Sequence, residues 1–264
     1  MTRYAYWPVT AASLLLATAS LQCAKTQTIR PVNADITVAA DGSTEYESIG
    51  DALDDAEDGC VILVKPGMYE EDVEFPDDVS RISLIGAGPD KTIIDADGEY
   101  SAVKLQGNGH RLSGFTLRGG KSHGVYVSDG NHQVDHCLIA ANGDRGVYLS
   151  TMAGKGSARI DHCTIVGNRA SGIYSVKDDE QTSVTNCIIA FNGRGIVSDK
   201  NESGMKIEYN CLHDDGSEFE EVTEGQGNID EDPLFVNRDE DNYRLAPTSP
   251  CRKAASDGAN MGCF

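Results

Sequence analysis

The sequence contains a motif that recurs four times at intervals of 22, 26 and 24 residues, and this repeat constrains the fold more than any other feature. Its copies begin at His110, His132, Ala158 and Thr182. An apolar residue occupies the third position of every copy (Leu112, Val134, Ile160 and Val184) and another occupies the eighth (Leu117, Ile139, Ile165 and Ile189). Such self-similarity is typical of solenoids, in which each repeat buries its apolar face against its neighbours.

Each repeat is built from short strands, because its apolar runs span three to five residues and are interrupted by Gly, Asn or Asp, which favour turns. Further columns follow in the same register: Asn142, Asn168 and Asn192, then Gly124, Gly146, Gly172 and Gly195, each of which opens a strand. No run is long enough for a crossover helix. The sequence therefore predicts an all-β fold, a single-stranded right-handed parallel β-helix with three strands per coil and coils about 4.8 Å apart.

The charge balance excludes a generic nucleic-acid binder. The chain has 42 acidic and 22 basic residues in 264, a formal net charge of −20, whereas phosphate binding needs a basic face. Because copies with this charge repel one another and the ends of the solenoid are capped, we expect a monomer.

The N-terminus predicts export. Arg3 precedes an apolar run at residues 11–19, which has the length of a signal-peptide core and is too short to span a bilayer. The sequence Ala17-Thr18-Ala19 suits an ordinary signal peptidase, whereas Ser20-Leu21-Gln22-Cys23 loosely resembles a lipobox. The alternatives are therefore a secreted, periplasmic or surface protein and one with a lipid anchor at Cys23. No other stretch approaches transmembrane length.

The eight cysteines divide into two groups. Cys137, Cys163, Cys187 and Cys211 follow one another at 26, 24 and 24 residues, and all but Cys211 share one repeat register, which predicts a buried column of free thiols. A disulfide is predicted between Cys251 and Cys263, while Cys60 and Cys23 stay unassigned. The sequence lacks CxxC and HExxH motifs, so no metal site is predicted.

Both ends of the chain add to the pattern. Near the N-terminus, Ile49, Ala52, Leu53 and Ala56 lie on one face of a predicted capping helix that stops at Gly59, and the segments ITVA (36–39) and VILVKPGMYE (61–70) flank it. Near the C-terminus come NIDEDPLF (228–235), NYRL (242–245) and SPC (249–251), a segment predicted to cap the last coil.

Together with the repeat, these ends resemble the pectin-lyase-like superfamily of right-handed parallel β-helix proteins, in its bacterial exported or surface form. The predicted organisation is a signal peptide or lipoprotein signal at 1–24, a short linker at 25–35, the β-helix with its N-terminal cap at 36–212, and the last coil with the C-terminal cap at 213–264. The superfamily includes lyases, hydrolases, esterases, epimerases and non-catalytic adhesins, so the resemblance implies a fold and leaves the reaction open.

A candidate binding surface follows from strand alternation. Because Val125, Val147 and Ile173 point into the core, the tyrosines next to them point outward. The predicted ligand-binding residues are Lys104, Tyr126, Tyr148 and Tyr174, with His123 and Arg145 as a column of cations beside them. Residues 101–177 carry nine Lys or Arg against four acids, which favours an anionic glycan. The alternative is that the tyrosines only pack on their strand neighbours and that the charge distribution only maintains solubility.

Three functions remain open from the sequence. The first is a non-catalytic exported protein that binds polysaccharide or another cell-surface partner. The second is a polysaccharide lyase or uronate epimerase, with His123, Arg145 and Tyr148 as candidate catalytic residues, and the third is a structural envelope protein without a ligand. Acidic clusters at 51–58, 70–72 and 214–232 allow weak Ca²⁺ binding but lack EF-hand spacing, and no other cofactor is predicted. The Asp135/Asp161 and His136/His162 recurrences are interpreted as packing signals rather than catalytic pairs.

Overall fold

The computed structural model describes residues 34–150, 156–176, 181–199, 204–213, 216–217 and 219–264. The predicted signal segment and Cys23 lie outside these residues. Among the described residues, no helix is long and apolar enough to cross a membrane.

The described chain contains 24 strands, one α-helix and one short 3-10 helix. In chain order they are β1 (Ile36–Val38), α1 (Ile49–Asp54), β2 (Val61–Val64), β3 (Gly67–Glu70), β4 (Val73–Glu74), β5 (Ser83–Gly86), β6 (Thr92–Asp95), β7 (Ser101–Leu105), β8 (Arg111–Ser113), β9 (Thr116–Arg118), β10 (His123–Val127), β11 (Gly130–Asp135), β12 (Leu138–Ala140), β13 (Arg145–Leu149), β14 (Gly156–Asp161), β15 (Thr164–Val166), β16 (Ser171–Ser175), β17 (Ser183–Thr185), β18 (Ile188–Ala190), β19 (Ile196–Ser198), β20 (Lys206–Glu208), β21 (Cys211–His213), β22 (Phe219–Glu220), β23 (Phe235–Asn237), the 3-10 helix (Arg238–Glu240) and β24 (Asn242–Leu245).

Three parallel sheets wind around one core, as the sequence predicts. Sheet A has the order β1-β2-β5-β8-β11-β14-β17-β20, sheet B the order β3-β6-β9-β12-β15-β18-β21, and sheet C the order β4-β7-β10-β13-β16-β19-β22. Every third strand pairs with its counterpart one coil later, so each coil contributes one strand to each sheet. The predicted right-handed β-helix is confirmed.

The repeat registers of the sequence are the stacking registers of the solenoid. Val134 pairs with Leu112 and Ile160, and Ile139 pairs with Leu117 and Ile165, and all of these side chains are buried. The asparagine column forms a ladder in which the side chains of Asn142, Asn168 and Asn192 hydrogen-bond from coil to coil at 3.0 Å. Asn168 and Asn192 also donate to the carbonyls of Ile139 and Ile165, at 3.1 and 3.0 Å, so these buried amide groups have hydrogen-bond partners.

The capping helix is shorter than predicted. Ser48 caps its N-terminus by accepting from the Asp51 amide at 3.0 Å, and Ile49, Ala52 and Leu53 are buried. The helix ends at Asp54, and Gly59, with φ of 81°, belongs to the turn that leads into β2. Ala56 still joins the core, from beyond the helix.

The C-terminal segment caps the last coil and then extends further than predicted. Ile229 forms a bridge with Cys211 at the top of the solenoid. The chain then makes the β23–β24 hairpin and continues to Phe264 along the outside of sheet B, and we call residues 229–264 the strap. The strap covers outward apolar side chains of sheet B with its own, among them Leu138, Val166 and Ile188 beneath Tyr243, Cys251 and Met261.

All seven cysteines in the described residues are free thiols. Cys137, Cys163 and Cys187 form the predicted buried column. Cys211 lies one register further on, paired with Ile188, and Asn210 occupies the end of the column by accepting from the Cys187 amide at 2.9 Å. The structure contradicts the predicted Cys251–Cys263 disulfide, because both thiols are free and the strap carries Cys263 to Thr164, whose Oγ1 accepts from the Cys263 amide at 3.1 Å.

Candidate functional site

The predicted tyrosines form a column on the outer face of sheet C. Lys104, Tyr126, Tyr148 and Tyr174 occupy the same position of β7, β10, β13 and β16 and pair laterally in that order. All four are half-buried, while the residues on either side of each tyrosine are buried. Strand alternation thus presents these side chains outward, and we call these four residues the tyrosine column.

The upper rings of this column pack on each other. The Tyr148 and Tyr174 centroids are 5.9 Å apart with 17° between the ring planes, and the Arg145 guanidinium lies 4.2 Å from the Tyr174 centroid. The Tyr174 hydroxyl donates to Asp199. Because these contacts occupy most of the upper ring faces, the column is a ridge there rather than an open stacking platform.

A second column runs beside the tyrosines. Ser101, His123, Arg145 and Ser171 pair laterally at the starts of the same four strands, and we call them the polar row. Each has a buried polar atom without a hydrogen-bond partner in the described chain: Ser101 Oγ, His123 Nδ1, Arg145 Nε and Ser171 Oγ. Because buried polar atoms are nearly always hydrogen-bonded, four such atoms in one row mark an unusual part of the surface.

The polar row is not the column of cations that the sequence predicts. Burial, followed by the nearby Arg145 charge, lowers the pKa of His123 to about 4, so its ring is neutral at neutral pH. The Arg145 guanidinium pairs with Asp144, and the Lys104 ammonium pairs with Glu74 at 2.6 Å. Burial keeps His123 neutral. Arg145 and Lys104 are charged, but each is paired with an acidic residue, Asp144 or Glu74, that does not recur in the repeat.

A cleft of about 390 Å³ lies at the lower end of the tyrosine column. It is lined by Asp72, Val73, Glu74, Tyr100, Ser101, Lys104 and Tyr126. Tyr100 is 59% exposed, and its ring centroid lies 6.4 Å from that of Tyr126 and 5.2 Å from that of His123. Glu74 accepts hydrogen bonds from Lys104 and Gln106, so the Lys104 ammonium is held at the wall of the cleft.

Tyr100 and Glu74 are not among the residues that the sequence predicts for the site, and Asp72 is predicted only as part of the acidic cluster at 70–72. In the structure Glu74 of β4 pairs laterally with Lys104 of β7. The first coils differ in length from the later ones, so this register does not emerge from the repeat. Tyr100 directly precedes β7 and lies outside the inward and outward alternation of the strand.

The recurring aspartates at the corner between sheets A and B hold the turns together. Burial alone would raise the pKa of Asp135, but hydrogen bonds from Arg111, His136 and Ser113 outweigh it and hold the pKa below its ordinary value. Asp161 has its own partners, Thr185 and Asn186, at 2.8 Å. The rings of His136 and His162 stack at 5.1 Å. This arrangement fits the interpretation of these residues as packing elements.

Two family models match the chain. The model described as "Right handed beta helix region" matches residues 101–237, and the model described as "Pectinesterase" matches residues 35–122. The first match covers just over half of the chain and contains the tyrosine column. The second contains most of the residues that line the cleft.

Curated relatives match a short segment of the chain. A pectinesterase/pectinesterase inhibitor of Ficus pumila var. awkeotsang is 38% identical over 69 residues, which is 25% of this chain and 13% of the relative. A probable pectinesterase/pectinesterase inhibitor of Arabidopsis thaliana is 40% identical over 73 residues, which is 26% of this chain and 11% of the relative. The matches thus span only about an eighth of these relatives.

Solved structures share the fold at low sequence identity. An alginate lyase from Paenibacillus sp. str. FPU-7 has a TM-score of 0.50 at 17% identity and covers 75% of this chain and 76% of its own. A PL6 family polysaccharide lyase from Pseudopedobacter saltans has a TM-score of 0.50 at 15% identity and covers 74% of this chain and 52% of its own. At such identities the likeness extends to the fold alone.

Proposed function

This chain belongs to the right-handed β-helix family, and from that premise we propose that it is an exported protein that binds a polyuronate polysaccharide of the pectin type on sheet C. The observation that carries the proposal is the cleft, where the exposed ring of Tyr100 faces Tyr126 and the Lys104 ammonium at the foot of the tyrosine column. The sugar chain would enter the cleft and continue along the ridge.

The chemistry of the cleft suits a sugar. Tyrosine offers an apolar ring face and a hydroxyl group, a combination that favours ligands with both apolar and polar surfaces. Ligand sites are typically concave, with a few polar groups among aromatic walls. Coils stacked about 4.8 Å apart also repeat at roughly the length of one sugar residue, so a glycan parallel to the axis would meet equivalent side chains at each step.

The choice of a pectin-type ligand rests on the matched segment. The "Pectinesterase" model spans residues 35–122 and includes Glu74, Tyr100 and Lys104, and the relatives carry pectinesterase in their names. Lys104 can meet a carboxylate only in competition with Glu74. We therefore expect a preference for acidic chains that is weaker than a column of free cations would give.

A second candidate function is an enzyme that acts on the same polysaccharide, as an esterase, lyase or epimerase. It is favoured by His123, a neutral imidazole stacked on Tyr148 with an unpartnered Nδ1 atom in the described chain. A neutral imidazole can accept a proton, but a pKa of about 4 makes it a weak base at neutral pH, so this function would need a substrate that raises the pKa of His123. In this reading His123 would be the base, Tyr148 would orient its ring, and Arg145 would neutralise a substrate carboxylate.

The proposal is tested by binding and turnover on one panel. The purified protein is titrated with homogalacturonan of high and low methyl esterification, alginate and a neutral galactan, while methanol release, unsaturated uronate products and proton exchange are followed. We expect binding to the galacturonans that the Y100A/K104A double variant loses. The M68A/K65A double variant, altered at other exposed positions outside the cleft, is the matched control and should bind as the wild type does. Equal loss in both variants, or no glycan binding by the wild type, contradicts the proposal.

The same proposal includes export, the domain boundaries and the monomeric state. It leaves two alternatives for the N-terminus, a cleaved signal and a lipid anchor at Cys23. The mass of the mature protein after expression with its N-terminal segment distinguishes the alternatives. Cleavage after Ala19 gives an unmodified chain. Attachment at Cys23 instead adds the mass of a lipid and partitions the protein into detergent.

A further inference from the structure

Cys211 faces the strap rather than the core of the solenoid. In β21 it pairs with Ile188 at the position whose side chains point out of sheet B, whereas Leu212 pairs with Ile189 and points inward. Cys211 is nevertheless fully buried, because the strap covers it. Its thiol donates to the Glu231 carbonyl, within the strap, at 3.1 Å.

Cys251 approaches the same place from the strap. It is fully buried in the same apolar cluster as Cys211, and its thiol is the first cause that raises the pKa of Cys211. Its backbone is fixed on both sides: the Cys251 amide donates to Ser249 Oγ at 3.2 Å, and the Met261 amide donates to the Cys251 carbonyl at 2.9 Å. Cys211 and Cys251 are thus held in the same buried cluster, one on sheet B and the other on the strap.

A disulfide within the core column of cysteines would join neighbouring coils, whereas a Cys211–Cys251 disulfide would join the solenoid to the strap. Cys137, Cys163 and Cys187 each donate to the carbonyl two residues before them, at 3.3, 3.4 and 3.1 Å. They lie in coils that the backbone hydrogen bonds of three sheets already hold in register. Cys211 and Cys251, in contrast, are 40 residues apart in sequence and join the solenoid to a segment held mainly by side-chain packing.

We propose that Cys211 and Cys251 form a disulfide when the chain folds in the presence of a disulfide oxidant such as oxidised glutathione. One cysteine attacks the oxidant as a thiolate and forms a mixed disulfide with release of one reduced glutathione. The second then attacks the mixed disulfide and releases the other glutathione. The protein loses two hydrogen atoms, and the oxidant gains the two electrons and two protons. The reaction takes place before the strap has closed, because both thiols are buried afterwards.

The bond would fasten the strap to the last coil. A disulfide stabilises a fold chiefly by removing conformations from the unfolded chain, and the effect grows with the length of the loop that it closes. The strap would then be covalently attached at Cys251, 13 residues before its end, while Cys263 and Phe264 would remain held by packing. The inference is independent of glycan binding, since sheet C is not involved.

Intact mass and peptide mapping test the inference. The full chain is refolded with oxidised and reduced glutathione, remaining thiols are alkylated, and the protein is digested without reduction. We expect a mass lower by two hydrogens, one linked pair of peptides containing Cys211 and Cys251, and alkylated Cys60, Cys137, Cys163, Cys187 and Cys263. A Cys251–Cys263 link, or thiols at both Cys211 and Cys251, would overturn the inference.

Variants extend the test to stability. Oxidised wild type should melt roughly 5 °C or more above the reduced protein, and C211S and C251S should each abolish this difference. The matched control C263S should retain it. If a serine variant fails to fold, the peptide map of the wild type still decides. A difference that persists in both C211S and C251S would assign the stabilising bond elsewhere and would refute the proposal.

Discussion

The His123 imidazole lies parallel to the Tyr148 ring, with the centroids 4.6 Å apart and 9° between the planes. This contact joins the polar row to the tyrosine column across two coils. It buries a histidine that the sequence presents as an edge cation, and the burial explains why the pKa of His123 falls to about 4.

The pH dependence of stability should reveal this buried histidine. A histidine with a lowered pKa in the folded state costs stability as the pH falls below its unfolded pKa of about 6.5. We expect the H123F variant, which keeps the ring stack, to match the wild type at pH 7 and to exceed it by roughly 2 kcal/mol near pH 4. Urea unfolding at both pH values measures the difference. Parallel pH profiles for the two proteins would show that His123 titrates normally.

The Lys104–Glu74 pair should limit the attraction of acidic ligands. Both side chains are partly exposed, so their contribution to stability is small. E74Q frees the ammonium, and we expect several-fold tighter binding of acidic galacturonan at low salt, with the gain lost near 1 M salt because exposed charges are then screened. Titrations at two salt concentrations measure this effect. D58N, which breaks the exposed Arg81–Asp58 pair, should leave binding unchanged. Unaltered affinity in E74Q would mean that Lys104 does not meet the ligand.

The sequence predicted the solenoid well because residues that stack on each other in successive coils recur at regular intervals in the sequence. Columns such as Val134 and Ile160, or Asn142 and Asn168, are visible as recurring letters because each coil must satisfy the next in the same way. The path of the strap was not predictable from its own residues, which have no such register. A signal did exist in β12 and β18, where LIA and IIA are apolar at successive positions, because a strand that is apolar on both faces must be covered on both.

The candidate site was predicted only where it follows the repeat. Register placed Tyr126 and Tyr148 correctly, since outward positions alternate with buried ones. The cleft depends on Tyr100 and Glu74, which lie in coils of other lengths, and the state of His123 depends on tertiary burial. Neither is encoded in the spacing of residues along the chain.

A charge in the core column should disrupt the central coils. Ile165 is fully buried, stacked between Ile139 and Ile189, and I165D would bury an unpaired carboxylate at a cost of several kcal/mol. We expect insoluble protein, or a melting temperature lower by at least 10 °C. Asn131 is exposed on β11, so N131D is a control that should melt as the wild type does. A soluble I165D variant with unchanged melting would refute the inward register.

The end of the strap should loosen as the pH rises. His162 Nδ1 lies 3.3 Å from Asp161 and its Nε2 lies 3.5 Å from Asp257 of the strap, and the Asp161 carboxylate raises the pKa of His162. A raised pKa contributes stability that is present below pH 6.5 and lost as the pH passes the folded pKa. Hydrogen exchange at residues 255–264 should therefore accelerate as the pH rises above about 6.5, beyond the intrinsic pH dependence of exchange. H162Q should remove this excess, whereas D239N, on an exposed strap residue, should not.

Variants of Tyr100 and Tyr148 should distinguish the cleft from the ridge as the binding site. Tyr100 is exposed, whereas Tyr148 packs against His123, Tyr174 and Arg145. Y100A should therefore weaken galacturonan binding by roughly tenfold, the loss of one aromatic contact, and change the melting temperature by only a few degrees. Y148A removes stacking partners from the polar row, so its effect on binding should come with a clear loss of stability. Calorimetric titration beside thermal unfolding separates the two effects. If Y100A binds as tightly as the wild type while Y148A does not, the ligand lies along the upper ridge, and the cleft is not its anchoring point.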